Sequence, residues 1–232
     1  MRSLNEGYQA LVLGSSGAIG SALMQTLRMD PRCASVQGLS RRTDPRFDLT
    51  DEVNLAQALA ALAPMAPFDL IVDATGALTI DGQGPEKRLA AVSANALLRQ
   101  LAVNAVGPAV VMRHAMPWLA KGRRVIYAKL SARVGSIEDN HKGGWYGYRA
   151  AKAALNQLLQ TAAIECARTR PLAVVAALQP GTVASGLSQA FVPAAEALSP
   201  AVSAAGLLRA LDALPASARA HFVDYQGQPV PW

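Results

Sequence analysis

The chain has 232 residues, 51% of them hydrophobic and 16% charged, which is enough apolar material for one large core. Two distant cysteines (Cys33, Cys166) and three scattered histidines (His114, His141, His221) supply neither a disulfide framework nor metal-ligand spacing. No apolar run approaches the ~18 residues of a membrane span, the N-terminus lacks a signal-peptide core, and the +6 charge sits in separated pairs (Arg41-Arg42, Lys87-Arg88, Arg123-Arg124) instead of a nucleic-acid-binding stripe.

A first strand is predicted at Ala10–Gly14, within an apolar run that begins at Tyr8. A helix follows at Ala18–Met29, then a strand at Ser35–Leu39 and a helix at Asp51–Ala63. The next pairs are strand Leu70–Ala74 with helix Ala94–Ala120, and strand Val125–Leu130 with helix Tyr146–Arg168. Strand Leu172–Leu178, helix Ser199–Ala213 and strand Ala220–Tyr225 complete the chain. Such alternation predicts one α/β domain over residues 1–232: a doubly wound, Rossmann-type, mainly parallel sheet with helices on both faces. Proline- and glycine-rich pieces at Gly82–Pro85 and Val192–Pro200 are short, as loops are and domain linkers are not. A cytoplasmic protein is expected.

Two motifs carry chemistry. Gly14-x-x-Gly17-x-x-Gly20 joins the first strand to the first helix. Glycines there permit a tight turn, close approach of a pyrophosphate and close helix–strand packing, while the helix N-terminus offers free amides to phosphate. Tyr148 and Lys152, four residues apart, share one face of an Ala/Leu-rich helix. A cation beside a phenol favours the phenolate, so such a tyrosine can exchange a proton near neutral pH. The remaining distinctive stretches (Ser40-Arg41-Arg42, Asp73-Ala74-Thr75-Gly76, Ser131 to Ser136, and Gln179 to Val183) all fall at the carboxyl ends of predicted strands, where sheets of this kind bind ligands.

The glycine motif and Tyr148-x-x-x-Lys152 together resemble the short-chain dehydrogenase/reductase family over nearly the whole chain. Ser131 to Asn156, Pro180-Gly181-Thr182-Val183 and the ending Gly227 to Trp232 look more narrowly like its C-factor branch, related to the sniffer-type carbonyl reductases. The resemblance implies that Tyr148 is the general acid/base. It gives Lys152 two tasks, lowering the phenol's pKa and holding the nicotinamide ribose, and makes Asn104 the support of a proton-relay water. It also implies a cofactor site of Gly14, Ser16, Gly17, Ile19, Gly20, Asp48, Leu49, Ala74, Thr75, Gly76, Tyr148, Lys152, Pro180, Gly181 and Thr182. Asp73 and Ala74 replace the family's two asparagines, so backbone proximity alone carries over there. The family's usual catalytic serine falls at Ala132 in this chain; Ser131 ranks slightly above Ser136 as its replacement.

After the second strand no carboxylate precedes Asp44, and Ser40, Arg41 and Arg42 suit a ribose 2′-phosphate, so NADP(H) is favoured over NAD(H). The expected activity is reversible reduction of a small-molecule carbonyl to an alcohol, with no nucleic-acid or membrane partner. Leu187, Phe191 and Val192 are read as a substrate lid, and His141, Trp145 and Tyr146 as residues of the same pocket. The long helices at 94–120 and 146–168 resemble surfaces that the family uses for dimers and tetramers. The C-factor resemblance and Ala132 support an alternative, a nucleotide-binding signalling or regulatory protein with little turnover.

Overall fold

Six strands lie side by side, all parallel, in the order β2-β1-β3-β4-β5-β6. They are β1 (Tyr8–Leu13), β2 (Cys33–Leu39), β3 (Leu70–Asp73), β4 (Val125–Leu130), β5 (Ala173–Gln179) and β6 (His221–Asp224). The helices between them are α1 (Ala18–Arg28), α2 (Glu52–Ala60), α3 (Ala94–Leu101), α4 (Gly107–Ala115), α5 (Tyr146–Thr169) and α6 (Pro200–Ala213). The computed structural model describes residues 1–186, 193 and 196–232.

Alternation along the strands divides the core in two. Leu11, Leu13, Ile71, Tyr127 and Val175 pack against α2, α4 and α5, while Val12, Val72, Ile126, Ala128 and Val174 pack against α1 and α6. Every residue of β4 is buried, as expected of a central parallel strand covered on both faces. The doubly wound fold is therefore as predicted, with most strand ends displaced by one or two residues.

The long helix expected at Ala94–Ala120 is continuous through Trp118 but changes its pitch on the way. α3 ends at Leu101, a π-helical turn spans Ala102–Val106, α4 runs over Gly107–Ala115, and a 3₁₀ turn over Met116–Trp118 follows. Pro108 is the physical reason, because it has no amide to reach back along the helix. Gly107 adds to it by lying so close on Leu49 that a Cβ would stand 2.5 Å from the Leu49 carbonyl oxygen. The helix predicted at Asp51–Ala63 is shorter for a similar reason. Asp51 caps it by accepting the Asn54 amide at 3.0 Å, and Pro64 falls in a separate 3₁₀ turn.

After β1 the chain crosses to β2 on one side of the sheet, and it then returns to β3 on the other. The carboxyl ends of β1 and β3 thus diverge around a crevice, the expected ligand position in an open α/β sheet.

Candidate active site

The crevice starts at the glycine turn. Gly14 has φ +79°, and a Cβ there would meet the Ala74 and Thr75 backbone at 3.0 Å. At Gly20 a Cβ would stand 2.2 Å from the Gly14 carbonyl oxygen, so α1 rests directly on the turn. Gly17 caps α1 without any side-chain partner, and Gly17 to Gly20 line a cavity of about 450 Å³. The helix therefore presents its first amides and the positive end of its dipole to that cavity.

The opposite wall carries the sequence-predicted pair. Tyr148 is 8% exposed and Lys152 2%, and both line the same cavity as Ser131, Ala132, Pro180, Gly181 and Thr182. Trp145, at φ +55° just before α5, meets the Tyr148 ring edge-on with centroids 6.2 Å apart. Lys152 Nζ lies 5.6 Å from the Tyr148 ring centroid and donates to the Leu130 carbonyl at 3.1 Å. The expectation that Lys152 would lower the phenol's pKa needs correction. Burial pushes the Tyr148 hydroxyl upward. Lys152 moves the other way, down to about 7, first through burial and then through the neighbouring charge of Lys129, with Asp73 opposing. With both side chains buried, desolvation penalises the charged form of each partner.

Asn104 lies in the π turn and is fully buried. Its Nδ2 donates to Ala77 O and Gln100 Oε1, each at 2.8 Å, and its Oδ1 accepts the Ala77 amide at 3.1 Å. This pins the segment after Gly76, where a Cβ would be 3.1 Å from Asn104 Oδ1 and 3.5 Å from Lys152 Nζ. Of the two serine candidates, Ser131 lines the cavity but donates its hydroxyl proton to Asn156 Oδ1 at 2.7 Å. Ser136 is outside the cavity lining, donating to the Trp232 carbonyl at 3.2 Å and accepting the Asp139 amide at 3.0 Å.

A second cavity, about 810 Å³, adjoins the first through Gly17, Ala74, Thr75 and Gly76. Gly14, Ser16, Ser40, Arg41, Asp48 and Leu49, all expected near a nucleotide, line it together. Arg42 is exposed and outside its lining. Asp48 accepts the Thr50 amide at 2.8 Å and hydroxyl at 2.7 Å; those bonds, with Arg41 nearby, hold its carboxyl below the usual carboxylate range. Asp44 is paired with Arg46 at 2.8 Å and is not part of the lining. Among the predicted pocket aromatics Trp145 lines the first cavity, whereas His141 and Tyr146 do not. The lid residues Leu187, Phe191 and Val192 lie outside the described residues.

Three features of the site were not anticipated. Arg99 on α3 also lines the second cavity and pairs with Asp81 at 2.8 Å. Glu86, buried at 8% exposure, accepts the Gly147 amide at 3.0 Å, and its main-chain carbonyl accepts the Trp145 amide. A carboxylate at the N-terminus of α5 complements the helix dipole one residue before Tyr148. The third is a wholly buried ion pair, Lys129 with Asp73 at 3.0 Å. Asp73 also accepts the Thr75 amide at 2.9 Å and hydroxyl at 2.6 Å, so its side chain does build the turn at the end of β3. A lysine within a hydrophobic strand was the available signal for it in the sequence.

The family model described as Enoyl-(Acyl carrier protein) reductase matches residues 22–218. The C-signal protein of Myxococcus xanthus is 34% identical over 139 residues, covering 59% of this chain and 78% of that protein. The chain belongs to the short-chain dehydrogenase/reductase family. The 1-hydroxy-2-glutathionyl-2-methyl-3-butene dehydrogenase of Rhodococcus sp. (strain AD45) is 27% identical over 190 residues, 82% of this chain and 80% of that one. In fold, the carbonyl reductase Sniffer of D. melanogaster is similar at a TM-score of 0.81 and 20% identity, over 97% of this chain and 99% of that one.

Short-chain dehydrogenase/reductases are NAD(P)-dependent oxidoreductases, and the crevice of this one fits a dinucleotide. The two adjoining cavities form one long groove across the switch point. Its floor at Gly14, Gly20 and Gly76 has no room for side chains, and its end at α1 offers uncapped amides. Among the described residues no helix is long and apolar enough to cross a membrane, and no group of three potential ligands could hold a metal ion.

Proposed function

We propose that this short-chain oxidoreductase is NADP(H)-dependent and interconverts a small carbonyl compound and its alcohol, with Tyr148 as general acid/base. One observation carries the reading. Tyr148 and Lys152 converge in the cavity that also holds the α1 amides and the Pro180–Thr182 turn. The amides of Ala18 to Gly20 would bind the pyrophosphate, Lys152 the nicotinamide ribose hydroxyls, and Ser40 with Arg41 the 2′-phosphate. When bound, the nicotinamide supplies the hydride chemistry.

The chain's own part is to position and to move one proton. Burial keeps the Tyr148 phenol protonated, ready to donate from Oη to a carbonyl oxygen as charge develops there. Trp145, Leu78 and Val134 give that end apolar walls that exclude water. Lys152, with an ordinary value near 10.5 brought down to about 7, gains its proton most readily when anionic or hydroxyl groups approach it. Since the Ser131 proton is engaged by Asn156, Tyr148 provides the principal hydrogen-bond donor for the substrate oxygen.

The test is NADPH oxidation against a panel of aldehydes, ketones and quinones, comparing the wild type with Tyr148→Phe. Turnover that needs the phenol supports the enzyme. The inward-facing Ser131 hydroxyl and the C-signal relative favour a second reading, a nucleotide-binding regulator. Tight NADPH binding with no Tyr148-dependent turnover on any panel member would favour that reading instead.

A further inference from the structure

Below Lys152 lies a second lysine with no access to water. Lys129 belongs to β4, is 0% exposed, and is paired with Asp73, which is also 0% exposed. Its Nζ donates to Asp73 Oδ1 at 3.0 Å, to Thr75 Oγ1 at 3.0 Å and to the Thr75 carbonyl at 2.6 Å. A fourth acceptor, the Asp73 carbonyl, lies farther off at 3.5 Å, so all three protons of the ammonium are engaged. A charged side chain in the middle of a covered strand is costly unless it is paired in this way. Its position gives it two routes to Lys152. It anchors Thr75, whose neighbour Gly76 lies against Lys152 Nζ, and its charge is felt by Lys152 directly.

We propose that Lys129 is a positioning residue of the active site: held by Asp73 and Thr75, it acts through Lys152 and sets the pH range in which the site binds cofactor and works. The proposal rests on the reading of Lys152 as the cofactor- and proton-handling lysine.

The charged groups around Lys152 are few. Lys129 on β4 and Asp73 on β3 act on it through their charges, while Tyr148 lies one turn back on its own helix. From the π turn comes the neutral amide of Asn104, and from the end of β4 the Leu130 carbonyl. Arg133, in the turn packed beneath α5, is directed instead to Asp139 and Asp224, and Glu86 is engaged at the start of the helix. Lys129 and Asp73 therefore form the local electrostatic control, with opposite signs. A like charge disfavours the Lys152 ammonium and a carboxylate favours it.

Opposite signs separate this role from a purely structural one. Loss of either partner would loosen the Asp73–Gly76 turn, and a structural role predicts that both losses act alike. An electrostatic role predicts that Lys129→Met raises the Lys152 titration midpoint from about 7 toward 10.5, whereas Asp73→Asn lowers it. Asn at position 73 still offers an oxygen to the Thr75 amide, so the turn keeps one of its bonds.

The experiment is an NMR titration of apo protein carrying ¹⁵N-labelled lysine side chains, with Lys152→Met assigning the resonance. NADPH affinity is followed by fluorescence over the same pH range. Expected are opposite midpoint shifts in the two single variants, each accompanied by a shift of the affinity profile in the same direction. Should Lys129→Met fail to fold, because Asp73 is left buried and unpaired, Lys129→Met/Asp73→Asn replaces it and is compared with Asp73→Asn alone; its midpoint should be the higher. Midpoints that move together or stay fixed would overturn the proposal, as would an affinity profile that ignores them. A wild type that binds NADPH but reduces no carbonyl would sink only the reductase reading, because the titration and affinity shifts are read without turnover.

Discussion

The two ends of the groove are built from different materials. The end proposed for the nucleotide consists largely of backbone: a glycine turn, the open amides of α1 and the turn after β3, with Arg41 and Asp48 added at the rim. The end proposed for the substrate consists of side chains from several elements: Tyr148 and Lys152 from α5, Ser131 from β4's end, and Trp145 from the preceding loop. A backbone-built site tolerates many sequences provided that glycine stands where a Cβ has no room. A site of buried side chains depends on what lies behind each one, here Asn104, Glu86, and the Lys129–Asp73 pair. Substitutions at the two ends should therefore fail in different ways.

The largest effect is expected at the substrate end. Tyr148→Phe removes one hydroxyl and should lower kcat by about 10²- to 10⁴-fold. NADPH affinity, measured by fluorescence titration, should change little, since the nucleotide end is untouched. At that other end, Gly20→Ala would force a Cβ to within 2.2 Å of the Gly14 carbonyl oxygen. A cost of roughly 1–3 kcal/mol in denaturant unfolding is expected from such overpacking, together with weaker NADPH binding. Gly17→Ala makes a sharper control, because its added Cβ would meet only the Gly14 carbonyl oxygen at 3.4 Å. It should fold normally and lose cofactor affinity alone.

A third effect depends on pH. Lys152 titrates near 7 in the folded protein against an ordinary 10.5, so between those values the unfolded chain binds more protons. Stability therefore rises with pH across that window. The rise is opposed from about pH 10, where the unfolded Tyr148 phenol ionises while burial keeps the folded one protonated. In Lys152→Met, unfolding curves collected from pH 6 to 9.5 should show a much smaller rise. The smallest effect is expected at the rim. Arg41→Ala should weaken NADPH binding roughly tenfold, the range of one charge-assisted hydrogen bond, and leave NADH unchanged. Arg42→Ala, outside the groove, should alter neither. Equal losses for the two cofactors would remove the argument for a 2′-phosphate site.

The difference between the two ends also explains what could be read from the sequence. Gly14, Gly17 and Gly20 are visible because the residue type itself states the backbone requirement. The sheet is visible because buried parallel strands are continuous apolar runs. Tyr148 and Lys152 are visible through helical spacing. Their protonation behaviour was not, because it depends on burial and, for Lys152, on Lys129 and Asp73, which lie fifty-six positions apart in sequence and are joined by the β3–β4 pairing. Ser131 could be placed at the strand end, yet its hydroxyl's choice of Asn156 over the cavity follows from how α5 packs on the turn after β4. The π turn after Leu101 has its signal in Gly107-Pro108, but the helical periodicity on either side conceals it.

The central claim is that the Tyr148 phenol delivers the proton while hydride moves within this groove. The most direct measurement is transfer of deuterium from [4,4-²H₂]NADPH to the carbinol carbon of a reduced aldehyde or ketone, followed by mass spectrometry in single turnover. The wild type should form deuterated alcohol, and Tyr148→Phe, with NADPH bound to the same extent, should form it at least a hundredfold more slowly, the lower bound for loss of a general acid. Deuterium transfer at an undiminished rate in Tyr148→Phe would contradict the account.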